Sequence, residues 1–450
     1  MKPDPYLLSP DKTLDPPRSL SESWRFLGPG FILSATIVGS GELIATTTLG
    51  AQAGFITFWV ILVSCLVKVV VQMEFGRHTI LTGETAMTAF NQLPGPRFGK
   101  ARWSVWVFFL FMLVKLLQVG GIVGGVAIIL NMVVPSVSLV VWALVIATVV
   151  ALLVFRGYYS FIEGVSMSLM GLFTLFTVLC VVALQFTPYS VSWPEVLSGL
   201  QFELPRASVG FAIAAFGITG VGGEEIIYYN YWCLEKGYAA YSGAPDNSED
   251  WKRRSRGWIR VMYLDALVAM LIYTSVTAAF YLLGSAVLFA RGEIPEGYAT
   301  VEILSSMYTE TLGGWARPAF LVGAFFVLFS TLFSALASWT RQYSDIFGQL
   351  GWIDFSDMKQ RSRMISILAW VFPFAWASLY LFIQLPVFMV LTGGVIGSFI
   401  LLLVVFAALH FRYWRLHPAF RPGNLYDLIF WLSILAIGSF SAYGLIQLIT

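Results

Sequence analysis

Residues Val38-Gly39-Ser40-Gly41-Glu42-Leu43-Ile44 stand in the middle of an apolar stretch, and their reading decides the fold. Two glycines bracket a serine, and a carboxylate follows directly. The stretch around them, residues 26–52, can cross a hydrocarbon core of about 30 Å as a helix. Each glycine weakens a helix by roughly 1 kcal/mol, and a charged group at membrane depth needs a partner or a watery cavity. A helix interrupted here, with backbone groups turned toward a cavity, satisfies both demands.

The motif has an echo. Val221-Gly222-Gly223-Glu224-Glu225-Ile226-Ile227 aligns on it without gaps, with identity at Val38/Val221, Gly39/Gly222, Glu42/Glu225 and Ile44/Ile227. Gly217-Ile218-Thr219-Gly220 leads into it. The two motifs lie five spans apart, at equivalent points of two five-helix units of opposite topology. Interrupted helices at corresponding positions of two halves point to the binding site of a secondary transporter. Close packing of small residues is the competing explanation. It accounts for Gly120, Gly121, Gly124 and Gly125 but leaves the carboxylates unexplained.

Working outward, apolar runs recur at residues 26–52, 55–80, 102–132, 137–155, 162–187, 207–234, 259–287, 315–341, 363–384, 387–411 and 426–449. The 450 residues are 58% hydrophobic and 12% charged, about half the charged fraction of a soluble protein. The short alternating segments of a β-barrel are absent. The expected fold is an all-α integral membrane protein of eleven transmembrane helices, with breaks in the first and sixth. Residues 1–23, rich in Pro, Asp, Lys and Ser, read as a flexible cytoplasmic tail. Residues 24–450 form one transporter domain: a first repeat over 24–187, a second over 206–412 and an additional helix over 425–450. The long connection from Lys236 to Arg256 reads as a loop.

Charge sets the orientation. With the N-terminus inside, 22 of the 27 Lys and Arg residues fall on the inner side, among them Lys2 and Arg156, and only Arg206, Arg291 and Arg317 on the outer. That bias predicts a cytoplasmic N-terminus and an external C-terminus, in a bacterial-type plasma membrane. Trp24, Trp103, Trp193, Trp258, Trp315 and Trp414 fall at span edges, as interfacial aromatics do.

A net charge of +2 gives no reason to expect a nucleic-acid partner. Cys65, Cys180 and Cys233 are scattered in apolar segments and read as buried free thiols. There is no P-loop, catalytic triad or metalloprotease spacing, so neither an enzyme nor a directly ATP-driven pump is expected. No cofactor and no protein partner are predicted; the partners are a small inorganic ion or small-molecule substrate and the lipid bilayer.

Intramembrane ionisable groups are then the candidates for function. Glu42, Glu224 and Glu225 follow the breaks. Ser40 and Thr219 add hydroxyls, and Gly39 and Gly222, with Gly41, Gly220 and Gly223, free backbone carbonyls. This is an oxygen-only set suited to hard cations, with Glu42 and Glu225 as metal ligands. Successive helical residues diverge by about 100°, so Glu224 and Glu225 are not expected to face one small site. Lys68 and Lys115 lie inside the second and third spans as charge-balancing residues; their pairing with Glu42 or Glu225 is the alternative to cation binding by those acids, and would leave the cavity to an organic or anionic substrate. Glu74 and Glu163 sit near span ends, where solvated or helix-end roles are expected, and Asp265 would pair with Arg260 or Arg256. His78, His410 and His417 read as solvated interfacial residues. Tyr228, Tyr229, Tyr231 and Trp232 follow the second break and read as packing.

From Gly28-Pro29-Gly30-Phe31 the sequence resembles the natural resistance-associated macrophage protein (Nramp) family of divalent-metal transporters. The similarity continues through Gln52-Ala53-Gly54, Trp59 to Ser64, Gln72, Arg77, Thr82-Gly83, Ala101-Arg102-Trp103 and Asn131. The resemblance implies the leucine-transporter type of five-plus-five inverted repeat with an eleventh helix appended. The chain departs from the family at the site. The family's Asp-Pro-Gly-Asn is Gly39-Ser40-Gly41-Glu42 here, and its Met-Pro-His falls on Gly222-Gly223-Glu224. Third-span acids tied to proton movement fall on Val119 and Ile122. The expectation is therefore a divergent Nramp-related transporter of a small cation, a hard divalent metal first (Mg, Mn or Ca), to which the family's proton coupling does not carry over, although proton exchange at Glu42 stays open. A small organic or anionic substrate on the same fold is the alternative.

Overall fold

The computed structural model describes residues 4–8, 10–155 and 159–449. Lys2, Arg156 and the side chain of Glu163 lie outside the described residues. The chain is an all-α integral membrane protein. Among the described residues, eight helical stretches are long and apolar enough to cross a membrane by length and composition. They account for the second, third and sixth to eleventh predicted spans. The fourth is Leu139–Phe155 and the fifth Tyr159–Leu184.

The first span is the interrupted one. It runs as helix over Pro29–Ile37, breaks, and resumes as a π-helical turn over Gly41–Thr46 that passes into Thr47–Ala53. The sixth span is helical over Val209–Ile218 and again over Gly223–Lys236. Between its halves Thr219 is extended and Gly220 has φ +66°, a conformation open to glycine and costly for other residues. Around these lie the second span (Phe58–Thr82), third (Trp103–Val133), seventh (Glu249–Leu283), eighth (Ala316–Leu350), ninth (Met358–Ile383), tenth (Pro386–His410) and eleventh (Asn424–Ile449).

The third span packs on the eighth, ninth and tenth through its glycine run. A Cβ on Gly121 would lie 2.6 Å from the Pro386 carbonyl, and one on Gly124 2.3 Å from the Tyr380 ring. These glycines therefore serve close approach, as the packing explanation requires.

Three expectations are corrected. The seventh helix starts at Glu249, not near 259, so the basic cluster stands on helix, not loop. Ser248 caps it by accepting the Trp251 N–H at 3.1 Å, and Trp251, Ser255 and Trp258 form its buried stripe. Trp258 is thus a core residue; Trp24, Trp193, Trp315 and Trp414 are exposed. The described part of the N-terminal tail is packed against the bundle where flexibility is expected. Asp4 pairs with Arg361 at 2.7 Å, Tyr6 donates to Glu235 at 2.7 Å, and Trp258 donates to the Leu14 carbonyl at 2.9 Å. Its polar side chains find partners on helix ends that sequence spacing does not bring near.

Candidate functional site

The two breaks face one another, and one side chain joins them. Glu42, fully buried, accepts the Gly39 N–H at 3.3 Å on Oε2 and the Gly220 N–H at 3.4 Å on Oε1. Thr277 of the seventh span donates to Oε1 at 3.1 Å. The carboxylate thus accepts an N–H from each break, that of Gly39 being shared with the Ile37 carbonyl at 2.7 Å, and Thr46 and Thr219 meet beside it, hydroxyl to hydroxyl, at 3.2 Å.

The loose carbonyls of the sixth span are taken from the other side. Lys68 donates from Nζ to Phe216 O and, at 2.9 Å, to Thr219 O. Ser64 Oγ reaches the same two oxygens at 3.1 and 2.9 Å. Neither Glu42 nor Glu225 is the hydrogen-bond partner of Lys68. Lys115 pairs instead with Glu224, and it donates to Gln118 Oε1 and to Gly393 O at 3.2 Å. The alternative pairing of the lysines with Glu42 or Glu225 is therefore corrected.

Between the breaks lies a cavity of about 20 Å³, room for one water-sized particle. Thr36, Ser40, Gly41, Glu224, Glu225 and Tyr228 line it, with Lys115, Gln118, Thr331 and Trp339. Two buried carboxylate oxygens there, Glu224 Oε2 and Glu225 Oε2, have no hydrogen-bond partner among the described residues. The lining holds no sulfur and no imidazole.

Set against expectation, Ser40, Glu224 and Glu225 come together at the cavity, and Glu42 does not line it. Glu42 is consumed by backbone N–H groups, which a carboxylate satisfies better than any neutral acceptor. Glu224 and Glu225 face one site after all. They occupy the first turn of the sixth span's second half, and helical side chains lean toward the N-terminus, so both reach the cavity from the helix end. Gly39 and Gly222 are needed for space: a Cβ would lie 1.8 Å from Thr331 Oγ1 and 2.2 Å from Glu225 Oε2, respectively. Thr219 contributes its carbonyl to Lys68 and its hydroxyl to Thr46, and it does not line the cavity. Tyr228 was read as packing. Its spacing of four from Glu224 places it on the same helix face, and that was the available signal.

Several peripheral assignments also change. Asp265 accepts the N–H of Gly28 at 2.8 Å and of Gly30 at 2.5 Å, and the Tyr229 hydroxyl at 3.0 Å. It caps the first span where pairing with Arg260 or Arg256 was expected, because the free N–H groups of a helix start attract a carboxylate. Glu74 is buried between Arg77 and Arg412, at 2.9 Å from each, not solvated. His78 is buried as well, stacked on Phe411 with ring centroids 4.1 Å apart and 3.1 Å from Glu84. Cys65, Cys180 and Cys233 are buried and free, as read from the sequence. Among the described residues no group of three or more His, Cys, Asp or Glu side chains is arranged to hold a metal ion.

Comparison with known proteins supplies the remaining context. Residues 30–447 match the profile of the family described as natural resistance-associated macrophage protein-like. An uncharacterised protein of Pasteurella multocida is 25% identical over 322 residues, covering 70% of this chain and 69% of that protein. The divalent metal cation transporter MntH of Mycobacterium tuberculosis is 28% identical over 320 residues, covering 68% of this chain and 66% of that protein. Among solved structures, a mutant of the Eremococcus coleocola manganese transporter superposes with a TM-score of 0.67 at 16% identity, over 97% of this chain and 89% of that one. Mhp1, a nucleobase-cation-symport-1 family transporter, superposes with a TM-score of 0.57 at 15% identity, over 93% and 91%. These structural likenesses concern the fold.

Proposed function

The chain belongs to the natural resistance-associated macrophage protein-like family of membrane transporters, and from that premise we propose that it moves a small hard cation by alternating access. A divalent metal of the Mg, Mn or Ca class is the substrate. The observation that carries this reading is the pair of buried carboxylate oxygens, Glu224 Oε2 and Glu225 Oε2, left without protein partners beside a cavity for one particle. A buried carboxylate oxygen left without a partner is costly, and a bound cation supplies what Glu225 lacks and what the second oxygen of the Lys115-paired Glu224 lacks. Ser40 and the Tyr228 hydroxyl add further oxygens, and with no sulfur or imidazole in the lining the donor set suits hard ions and gives soft ones no ligand.

The cation site is therefore placed on Glu225 and Glu224, with Glu42 as the tie between the breaks. Lys115 offsets part of the negative charge. Val119 and Ile122, at the positions where the family carries acids for proton movement, line the cavity as apolar walls, which favours transport without proton coupling. The cavity's volume speaks against the organic or anionic alternative in this conformation, since about 20 Å³ admits nothing larger than an ion or a water. The distribution of Lys and Arg supports a cytoplasmic N-terminus and an external C-terminus in a plasma membrane. Repeats over 24–187 and 206–412, with residues 425–450 appended, follow from the paired breaks.

Radiotracer or fluorescence uptake of Mg²⁺, Mn²⁺ and Ca²⁺ into proteoliposomes tests the reading. Saturable uptake of at least one ion by the wild type, lost in Glu225→Gln, is expected. No uptake of any of them, or uptake unchanged in Glu225→Gln, overturns it.

A further inference from the structure

The break in the sixth span strands two carbonyl oxygens, those of Phe216 and Thr219, and both are met by Lys68 of the second span. Ser64, one turn earlier on that span, reaches the same pair. Two carbonyls and a hydroxyl form an oxygen nest of the kind hard cations occupy. Lys68 enters it fully buried, with Nζ 4.8 Å from the centroid of the Phe216 ring. Neutral donors suffice to satisfy carbonyls, as Ser64 does. An ammonium carries a desolvation penalty of several kcal/mol, so the nest holding one must offer more than hydrogen bonds. It does: the backbone carbonyl dipoles of Phe216 and Thr219 converge on Nζ.

We infer that the break in the sixth span is a monovalent-cation site that this chain fills from within. The ammonium group of Lys68 stands where a free Na⁺ or K⁺ would otherwise bind. Transport by the wild type therefore needs no alkali-metal co-ion, and removing the ammonium creates a vacancy that an alkali ion enters. A single charge replaces a single charge, so the vacated nest selects monovalent ions. The inference goes beyond the cation-transport reading and rests on the break's own geometry, and its first readout is stability, which a failed uptake assay leaves intact.

The experiment compares unfolding midpoints of purified protein in NaCl, KCl and choline chloride at equal ionic strength. The wild type is expected to unfold at one temperature in all three. Lys68→Met is expected to unfold earlier in choline chloride and to recover more than half of the loss, saturably, in NaCl or KCl. Lys68→Arg, which keeps a cation in the nest, is expected to behave as the wild type does. A saturable gain of the wild type in NaCl or KCl over choline overturns the inference. So does a folded Lys68→Met protein that responds identically to the three salts. Should Lys68→Met fail to accumulate, the wild type and Lys68→Arg still decide: alkali-ion sensitivity in either defeats the proposal, and insensitivity in both supports it.

Discussion

Glu42 and Gly220 are 178 residues apart in the chain, and the N–H of Gly220 is hydrogen-bonded to the Glu42 carboxylate at 3.4 Å. With the Gly39 N–H on the other oxygen, one side chain spans both helix breaks. The carboxylates nearest the two breaks therefore have different jobs, Glu42 joining backbone and Glu225 facing the cavity.

That division predicts opposite phenotypes for two similar substitutions. Glu42→Gln turns an amide N–H₂ toward N–H donors and removes the charge, so a loss of about 1–3 kcal/mol in stability is expected. Glu225→Gln leaves stability within error and lowers cation uptake by about tenfold or more. Thermal unfolding and proteoliposome uptake, measured on both variants, check the pair; equal stability losses would merge the two roles.

Lys115 and Glu224 form a buried ion pair at the cavity edge. Breaking a buried pair by removing one partner costs about 3–5 kcal/mol because the other charge is stranded. Lys115→Met is expected to be that destabilising, and the double variant Lys115→Met/Glu224→Gln to regain more than half of it. Chemical denaturation of the two variants provides the comparison. A double variant no more stable than the single one would show that the pair is not what Lys115 contributes.

Gly39 sits against the eighth span, where a Cβ would lie 1.8 Å from Thr331 Oγ1. Gly39→Ala is expected to push the first and eighth spans apart and cost about 1–3 kcal/mol by overpacking. Thr331→Ala in the same chain removes the clashing hydroxyl and is expected to restore most of the loss. Unfolding midpoints of the single and double variants decide whether proximity, and not backbone conformation, fixes this glycine.

Outside the spans, Glu84 is held by Arg415 at 2.9 and 3.0 Å and by His78 at 3.1 Å. Burial pushes its carboxyl up, but the hydrogen bonds and charges of His78 and Arg415 outweigh it and lower the pKa to about 2. A folded-state value below the unfolded one gives stability that is complete above the ordinary carboxylate pKa of about 4.3 and is lost as pH falls toward the folded value. The wild type is therefore expected to exceed Glu84→Gln in stability at neutral pH, with the gap closing as pH drops from about 5 to about 2. A gap that does not change with pH would mean that Glu84 acts only through shape.

The spans and both breaks were legible in the sequence because each rests on local composition. Apolar runs set the helices, and glycines followed by acids mark where the first and sixth fail. What the acids touch was not legible. Lys68, Lys115, Arg412 and Arg361 reach partners 148 to 357 residues away, and no spacing rule carries that information. Successive side chains diverge by about 100° within a helix, but Glu224 and Glu225 stand at a helix start, where both reach the cavity. The tail was misjudged for a related reason: its polar composition permits flexibility, and only the folded bundle presents Arg361 and Glu235 to Asp4 and Tyr6.

The tied break in the sixth span bears on motion. The loose N–H of Gly220 and the loose carbonyls of Phe216 and Thr219 already have partners in Glu42, Lys68 and Ser64. Rewinding the gap into continuous helix would exchange these bonds for others and force Gly220 out of its φ of +66°, with nothing gained. If transport is by the alternating access proposed above, the two halves of the sixth span are expected to swing as levers about a standing knuckle, with the work of the cycle falling on sliding between each lever and its neighbours.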